Sequence, residues 1–210
     1  MTQDDIKAAI KQGIEYNVGT MCVRPCDIEL ALEMCKGTQT EVITVLDFPH
    51  GCAPAAAKEA LAKIYADMGV KEIDMVMNYG YARSGLWEKV QDEVSRVVKQ
   101  AHAKGVAVKV IQETSELTVE QIEKATKVCV AAGADFVKTS TGFSKSGASV
   151  EAVEAMLRAG EGKIKVKPSG GIRNYEPAKK YVDMGAARLG VGSGSVAVIC
   201  EGHGESDSNY

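Results

Sequence analysis

One pattern recurs along the chain and limits the folds that it can adopt: a glycine follows a helical stretch, and an apolar run begins within a few residues. The runs are rich in valine and isoleucine, as β-strands are, and glycine suits the left-handed residue just past a helix. The glycines are Gly19, Gly37, Gly69, Gly105, Gly133, Gly160 and Gly185. From Gly37 onward they are 32, 36, 28, 27 and 25 residues apart, about the length of one strand and one helix. This alternation predicts a parallel sheet covered by helices.

Helix signals fill the segments between the apolar runs. Thr118 and Gln121 fit a capping box ahead of a helix over residues 119–132. Residues 86–104 predict another helix, because apolar residues repeat there at helical spacing: Leu86, Val90, Val94, Val97 and Val98. We count seven strands and eight helical segments, the first opening the chain and the last running from near Ser195 towards Cys200. The predicted fold is an α/β barrel of the TIM (β/α)8 type that lacks its first β-strand.

The bulk properties of the 210 residues fit a single domain, which we place at residues 1–199, with a flexible C-terminal tail at 200–210. A net charge of −3 gives no electrostatic reason to expect nucleic acid or a membrane surface as a partner. No apolar run approaches the roughly 18 residues of a membrane span, and no signal peptide is visible. The six cysteines lack metal-ligand spacing, so the simplest interpretation is reduced thiols in a cytoplasmic protein with no bound metal.

Four successive predicted strands each carry a charged residue inside an apolar run: Asp74, Lys109, Lys138 and Lys167. Each lysine could sit at a strand end and reach water, as most lysines do. Buried charges are costly, however, so charges that point inward must pair with one another or do chemistry. Their order on neighbouring strands favours the second interpretation.

Imine formation is the chemistry that such a group of residues suits. A lysine amine attacks a carbonyl only when unprotonated, and both burial and a second cation lower its pKa. Lys138 is the candidate nucleophile, and Lys167 on the next strand is the candidate second cation. Asp74 is placed to hold Lys167 and to pass protons through a water molecule.

Two glycine-containing stretches end the last two apolar runs, residues 169–171 and 190–195. Barrels commonly bind phosphate through backbone N–H groups at these positions, ahead of a short helix. Either stretch alone is more often a simple turn. Both together, at the last two strand–helix junctions, favour a phosphate site.

Five stretches occur in the order and spacing of one enzyme family: DFPHG, EIDMVMNYG, VKVIQET, DFVKTSTGF and VKPSGGIR. From about Asp4 to about Ile199 the chain resembles deoxyribose-phosphate aldolase, a class I aldolase. The resemblance implies reversible cleavage of 2-deoxy-D-ribose 5-phosphate to acetaldehyde and D-glyceraldehyde 3-phosphate through a lysine Schiff base, without a metal or organic cofactor. It also implies a cytoplasmic homo-oligomer, a dimer or a tetramer, that acts in deoxyribonucleotide and carbohydrate degradation.

The resemblance assigns roles to individual residues. Lys138 matches the Schiff-base lysine, Lys167 the lysine that depresses its pKa, and Asp74 the aspartate of the proton relay. Lys109 and Cys22 match side chains that line the same pocket. The phosphate-binding positions are matched by Gly142, Gly170, Gly171, Gly192 and Ser193. Some family members use a C-terminal tyrosine in proton transfer, and Tyr210 occupies that position, although a terminal tyrosine without function is the alternative.

The chain departs from the family at its beginning. The family starts with a strand that carries an Asp-His-Thr stretch, and this strand is absent here. Its loss removes an aspartate near the lysines and leaves two open strand edges, which invite pairing with another chain. Three interpretations stay open: a truncated form of an active enzyme, a barrel completed by another element, or an inactive remnant that serves as an assembly or binding module. A Schiff-base aldolase for another phosphorylated aldehyde is a further alternative.

Overall fold

A parallel sheet forms the centre of the molecule in a computed structural model, which describes residues 1–203. Residues 204–210, and with them Tyr210, lie outside the described residues. Six strands are hydrogen-bonded in sequence order. They are β1 (Thr20–Val23), β2 (Glu41–Leu46), β3 (Glu72–Val76), β4 (Ala107–Ile111), β5 (Phe136–Lys138) and β6 (Lys165–Lys167). The predicted α/β class and parallel sheet are thus confirmed.

Helices cover the sheet and alternate with its strands. Within residues 1–203 they are α1 (Gln3–Glu15), α2 (Ile28–Cys35), α3 (Ala55–Met68), α4 (Tyr79–Arg83), α5 (Trp87–His102), α6 (Val119–Ala131), α7 (Val150–Gly160), α8 (Tyr175–Asp183) and α9 (Ser193–Glu201). Two 3₁₀ turns, Pro25–Asp27 and Thr114–Glu116, precede α2 and α6. Helix α9 continues to Glu201, two residues into the segment that we predicted as the tail.

The sequence signals explain where several of these helices lie. The valines at positions 90, 94, 97 and 98 are buried in the core, so the apolar stripe of α5 faces the sheet. At α6, the Thr118 hydroxyl accepts from the Gln121 N–H at 3.3 Å, and the Gln121 side chain accepts from the Thr118 N–H at 3.0 Å. The predicted capping box is confirmed.

The seventh apolar run, residues 185–192, is not a strand, and that prediction was wrong. Within it only Gly190 forms a β-bridge, an isolated parallel one to Ser169, and the Ala187 N–H donates to the Val166 carbonyl of β6 at 3.0 Å. A Cβ atom at Gly190 would lie 2.4 Å from the Ser169 hydroxyl, so glycine is required for this approach. Glycines at 190 and 192 leave few side chains to pack on a pleated surface. The count of eight helical segments was also one too few for the described residues, because the short α4 gave no periodic signal.

The sheet curls so that its two ends approach each other. Arg188, just before the isolated bridge, donates to the Thr20 hydroxyl at the start of β1 across 3.1 Å. On the outside, α1 packs against α9, and the Tyr16 hydroxyl donates to the Glu201 carboxylate. The inner face of the curl therefore gathers side chains from all six strands. None of the helices within residues 1–203 is long and apolar enough to cross a membrane.

Candidate active site

The four charged residues predicted on successive strands meet on the inner face of the curled sheet. Asp74 lies at the centre, and its Oδ2 accepts hydrogen bonds from the Lys138 Nζ at 3.0 Å and the Lys167 Nζ at 2.9 Å. The Lys109 Nζ lies 3.0 Å from the other oxygen, Oδ1. Strand register explains the meeting, because Asp74 is the β-pair partner of Lys109 and Lys138 is the partner of Lys167. We call these four residues the lysine cluster.

The lysine cluster is almost completely removed from water. Asp74 and Lys109 have no exposed surface, and Lys138 and Lys167 are each 3% exposed. Burial favours the neutral form of Asp74, but the ammonium groups of Lys167, Lys138 and Lys109 outweigh it and hold the Asp74 pKa well below its ordinary value. The cluster therefore contains a carboxylate that stays ionised.

The same surroundings favour the neutral form of Lys167, whereas they favour the charged form of Asp74. Burial lowers the pKa of Lys167, and the nearby Lys138 ammonium lowers it further, while Asp74 acts against both. Two amines that share one carboxylate oxygen in a buried site disfavour a second positive charge. Such a pair can present one unprotonated amine to a carbonyl at neutral pH.

Cys22 reaches the cluster from β1. Protein atoms around the thiol and the Asp74 carboxylate raise the pKa of Cys22, whereas the three lysines act in the opposite direction. The side chain is nevertheless exposed to solvent, because β1 is the open edge of the sheet. Cys22 thus lies where a small molecule could reach the lysines.

The predicted phosphate-binding glycines lie on loops that pack together beyond β5 and β6. Gly142, Gly170 and Gly171 have φ values of +88°, +82° and +75°. A Cβ atom at Gly170 would lie 3.4 Å from the Gly142 Cα and 3.1 Å from the Gly147 Cα, so the two loops touch through glycine backbone. Gly192 and Ser193 cap and begin α9, two residues beyond the bridge to Ser169.

The sequence analysis missed four polar residues that support this arrangement. The buried Glu113 carboxylate accepts from the Thr141 hydroxyl and ties the end of β4 to the residue before Gly142. Burial raises the pKa of Glu113. Glu72 pairs with Lys109, and Arg188 pairs with Glu72. Glu72 could have been found from the sequence, since residues two apart on a strand share a face and Asp74 follows it by two.

Metal ligands are not grouped at this site. Within residues 1–203, no set of three or more His, Cys, Asp or Glu side chains is arranged to hold a metal ion. The positive charges beside Asp74 come from the amines of Lys109, Lys138 and Lys167.

Comparison with known proteins agrees with the fold. Residues 1–197 match the model of the DeoC/LacD family aldolases. A deoxyribose-phosphate aldolase from Caldanaerobacter subterraneus subsp. tengcongensis is 42% identical over 194 residues, which cover 92% of this chain and 84% of the relative. One from Caldicellulosiruptor saccharolyticus is 42% identical over 201 residues, which cover 95% and 91%.

A solved structure supports the same relationship. The tetrameric deoxyribose phosphate aldolase from Aeropyrum pernix superposes with a TM-score of 0.85 at 29% identity, covering 96% of this chain and 84% of that one. Family model, sequence relatives and structure agree over nearly the whole chain. The chain belongs to the DeoC/LacD aldolase family.

Proposed function

We propose that the chain catalyses the reversible aldol cleavage of 2-deoxy-D-ribose 5-phosphate through a Schiff base on Lys138. The observation that carries the proposal is the buried pair of lysines on one carboxylate oxygen, Lys138 and Lys167 on Asp74 Oδ2. The names of the relatives supply the substrate.

In the cleavage direction, the neutral Lys138 amine attacks the C1 aldehyde of the open-chain sugar. Loss of water gives the iminium ion, which serves as the electron sink, so no metal or organic cofactor is required. Removal of the proton from the C3 hydroxyl breaks the C2–C3 bond and releases D-glyceraldehyde 3-phosphate. The remaining enamine is protonated at C2, and hydrolysis of the iminium ion releases acetaldehyde and restores Lys138.

Asp74 and Lys167 are suited to the proton transfers. Asp74 holds both amines through Oδ2, while Oδ1 accepts no hydrogen bond from the described residues despite being buried. This ionised oxygen, with the Lys109 Nζ 3.0 Å away, can relay a proton directly or through one water molecule. Lys167, whose pKa is lowered, can return a proton to the substrate more readily than an ordinary lysine.

The phosphate group is proposed to bind at the glycine loops. Gly142, Gly170 and Gly171 can offer backbone N–H groups without a side chain in the way, and Gly192 with Ser193 adds the start of the nine-residue helix α9. Lys109 and Cys22 would line the sugar-binding part of the pocket. A role for Tyr210 in proton transfer stays a prediction.

We propose further that the curled sheet is an incomplete barrel of the TIM type, which lacks its first strand and in which residues 185–192 give a single bridge in place of a strand. We also propose that residues 1–199 act as one domain and that the protein is a homo-oligomer. The tetrameric relative from Aeropyrum pernix supports an oligomer. The six unpaired cysteines support a cytoplasmic location.

Reductive trapping tests the proposed function. The protein is incubated with 2-deoxy-D-ribose 5-phosphate and sodium borohydride, and the adduct is read by intact mass and peptide mapping. We expect one reduced adduct on Lys138, which Lys138→Ala abolishes. Lys165→Ala is the matched control, because Lys165 lies on β6, next to the strand of Lys138, but is exposed to water.

The substrate range distinguishes a deoxyribose-phosphate aldolase from a Schiff-base aldolase that acts on another phosphorylated aldehyde. Without borohydride, the protein should release acetaldehyde and D-glyceraldehyde 3-phosphate from 2-deoxy-D-ribose 5-phosphate. An adduct that forms only with another phosphorylated aldehyde would assign a different substrate. A folded protein that traps none would overturn the proposal in favour of a non-catalytic module.

A further inference from the structure

A second layer of charged residues lies beneath the lysine cluster, towards the N-terminal ends of the strands. Glu72 is the first residue of β3 and is 6% exposed. Its Oε2 accepts a hydrogen bond from the Lys109 Nζ, and the Arg188 guanidinium lies 3.4 Å from both carboxylate oxygens. Arg188, Glu72, Lys109 and Asp74 thus form a continuous series of ion pairs that ends at the two remaining lysines.

The carboxylates of Glu72 and Asp74 lie on the same face of the sheet because of their spacing on β3. Glu72 and Asp74 are two residues apart on a strand, so their side chains leave the same face of the sheet. Lys109 on the neighbouring strand is the β-pair partner of Asp74, and its long side chain reaches both carboxylates. The amine lies 3.0 Å from Asp74 Oδ1 yet directs its hydrogen bond to Glu72.

Glu72 acts on Asp74 through charge, because Lys109 has three N–H groups and its Nζ lies near both carboxylates. Asp74 Oδ1 accepts no aligned hydrogen bond from any described residue, although the Lys109 Nζ is 3.0 Å away. Loss of Glu72 would remove one of the two carboxylates that balance four cations in the series. Lys109, Lys138, Lys167 and Arg188 are those cations.

Arg188 fixes Glu72 from the other side. Its side chain is 30% exposed, and its guanidinium donates to the Thr20 hydroxyl at 3.1 Å and lies 5.8 Å from the centre of the Phe136 ring. It joins the segment after α8 to the first residue of the open edge strand. Arg188 therefore contacts both the edge strand β1 and the carboxylate that pairs with the lysine cluster.

We propose that Glu72 and Arg188 are positioning residues that set the protonation of the catalytic lysine through Lys109 and Asp74, without touching substrate. The inference rests on the proposed function, because it concerns the lysine that forms the imine. The charged and titratable groups that face the series are Cys22 from β1, Glu72 and Asp74 from β3, Lys109 from β4, Glu113 after β4, Lys138 from β5, Lys165 and Lys167 from β6, and Arg188.

The two residues should shift the reaction in opposite directions. Glu72→Gln removes a negative charge, so the ammonium form of the lysine loses stabilisation and releases its proton at lower pH. Arg188→Gln removes a positive charge and has the reverse effect. A packing role alone would reduce the rate at every pH without moving the midpoint.

The experiment measures the second-order rate of imine formation on Lys138 from pH 5 to 10. Acetaldehyde is the probe, because it has no titratable group, with cyanoborohydride as the reductant and peptide mapping as the readout. We expect the acid limb to move down by about half a pH unit or more in Glu72→Gln and up by a similar amount in Arg188→Gln.

Three controls keep the result decisive. Lys165→Gln removes a cation that contacts the same Phe136 ring at 5.2 Å. Lys165 is exposed to water, which screens its charge, and it is not paired with Glu72, so the midpoint should move much less than in Arg188→Gln. Arg188→Lys keeps the charge and should restore the wild-type midpoint. Circular dichroism checks folding. If Glu72→Gln does not fold, the two variants of the partly exposed Arg188 test the proposal by themselves.

The outcomes separate the inference from the proposed function. A wild-type protein that forms no adduct on Lys138 contradicts the aldolase. A wild-type adduct whose pH midpoint is the same in Arg188→Gln and Arg188→Lys contradicts only the role of the second layer.

Discussion

Asp74 is the residue on which the charges of the site depend, since it accepts hydrogen bonds from two buried lysines through one oxygen. Asp74→Asn keeps the size of the side chain but removes the negative charge that holds both amines. We expect kcat for 2-deoxy-D-ribose 5-phosphate to fall about 100-fold or more, because the substitution removes a group that positions and transfers protons. Steady-state kinetics measure the loss.

Asp92→Asn is the control for this substitution, because Asp92 is an exposed partner of Arg96 on α5 and should leave kcat unchanged. Retention of wild-type turnover in Asp74→Asn would show that the reaction does not use this carboxylate. The far-ultraviolet circular dichroism of both variants shows whether each is folded.

Lys58 is a second buried charged residue, and we expect its substitution to lower the free energy of unfolding. Its amine has no exposed surface and donates to Glu93 and to the carbonyl groups of Gly51 and Val76. Lys58→Met leaves the Glu93 carboxylate buried without its cation. We expect the free energy of unfolding in urea to fall by about 3 kcal/mol or more.

Lys63→Met on the same helix is the comparison. Lys63 is exposed and pairs with Asp67 four residues later, a contact that contributes about 0.5 kcal/mol or less. Equal losses in the two variants would contradict the assignment of the Lys58 network as the stronger contact.

Some residues of the site could be predicted from the sequence, and others could not. Asp74, Lys109, Lys138 and Lys167 stand out because each interrupts an apolar run, and such an interruption is costly unless the charges meet. Glu72 and Arg188 begin their runs, where charged residues are common. Only Glu72 has a local signal, because it shares a strand face with Asp74 two residues later. The pairing of Glu72 and Arg188 depends on contacts 37 and 116 residues away, which no local pattern contains.

At the scale of elements, the contact between two loops is required for the proposed phosphate site. Gly147, between β5 and α7, packs on Gly170, and a Cβ atom there would lie 2.0 Å from the Gly170 carbonyl oxygen. Gly147→Ala must therefore push the loop away from Gly170 and Gly171. We expect KM for 2-deoxy-D-ribose 5-phosphate to rise about tenfold, the cost of misplacing one or two hydrogen bonds.

The imine chemistry itself should survive this substitution. Trapping with acetaldehyde, which has no phosphate, should stay within about twofold of wild type, because the lysine cluster does not contact Gly147. Gly19→Ala is the control, since Gly19 has open space where the methyl group would stand. An equal loss with both substrates would mean that the loop supports the whole site and not the phosphate.

Elements with a strong local signal were the ones that the sequence predicted well. Residues 86–104 and 119–132 became α5 and α6 with ends within two residues, because valine periodicity and a capping box act locally. Residues 185–192 gave an apolar run as well, but its glycines supply few side chains that could pack on a pleated surface. Gly190 found only Ser169, so the run contributes one bridge.

At the scale of the whole molecule, the ionised cluster links the stability of the fold to pH. The pKa of Asp74 is far below its unfolded value of about 3.9, so its contribution is present above that pH and is lost as the pH falls. Glu93 and Glu113 have raised pKa values owing to burial, so each one destabilises the fold when ionised and the fold gains as they take up protons. The two effects therefore oppose each other below neutral pH.

A comparison of wild type with Asp74→Asn isolates the first effect. Glu93, Glu113 and Asp67, whose pKa is lowered to about 2 by hydrogen bonds from Lys104 and Lys63, are present in both proteins and cancel. Urea unfolding at pH 6, 4.5 and 3.5 should show wild type more stable at pH 6, with the difference in free energy of unfolding narrowing as the pH falls below about 4. A constant difference would mean that the pKa of Asp74 is the same in the folded and the unfolded chain, and that the three lysines do not lower it.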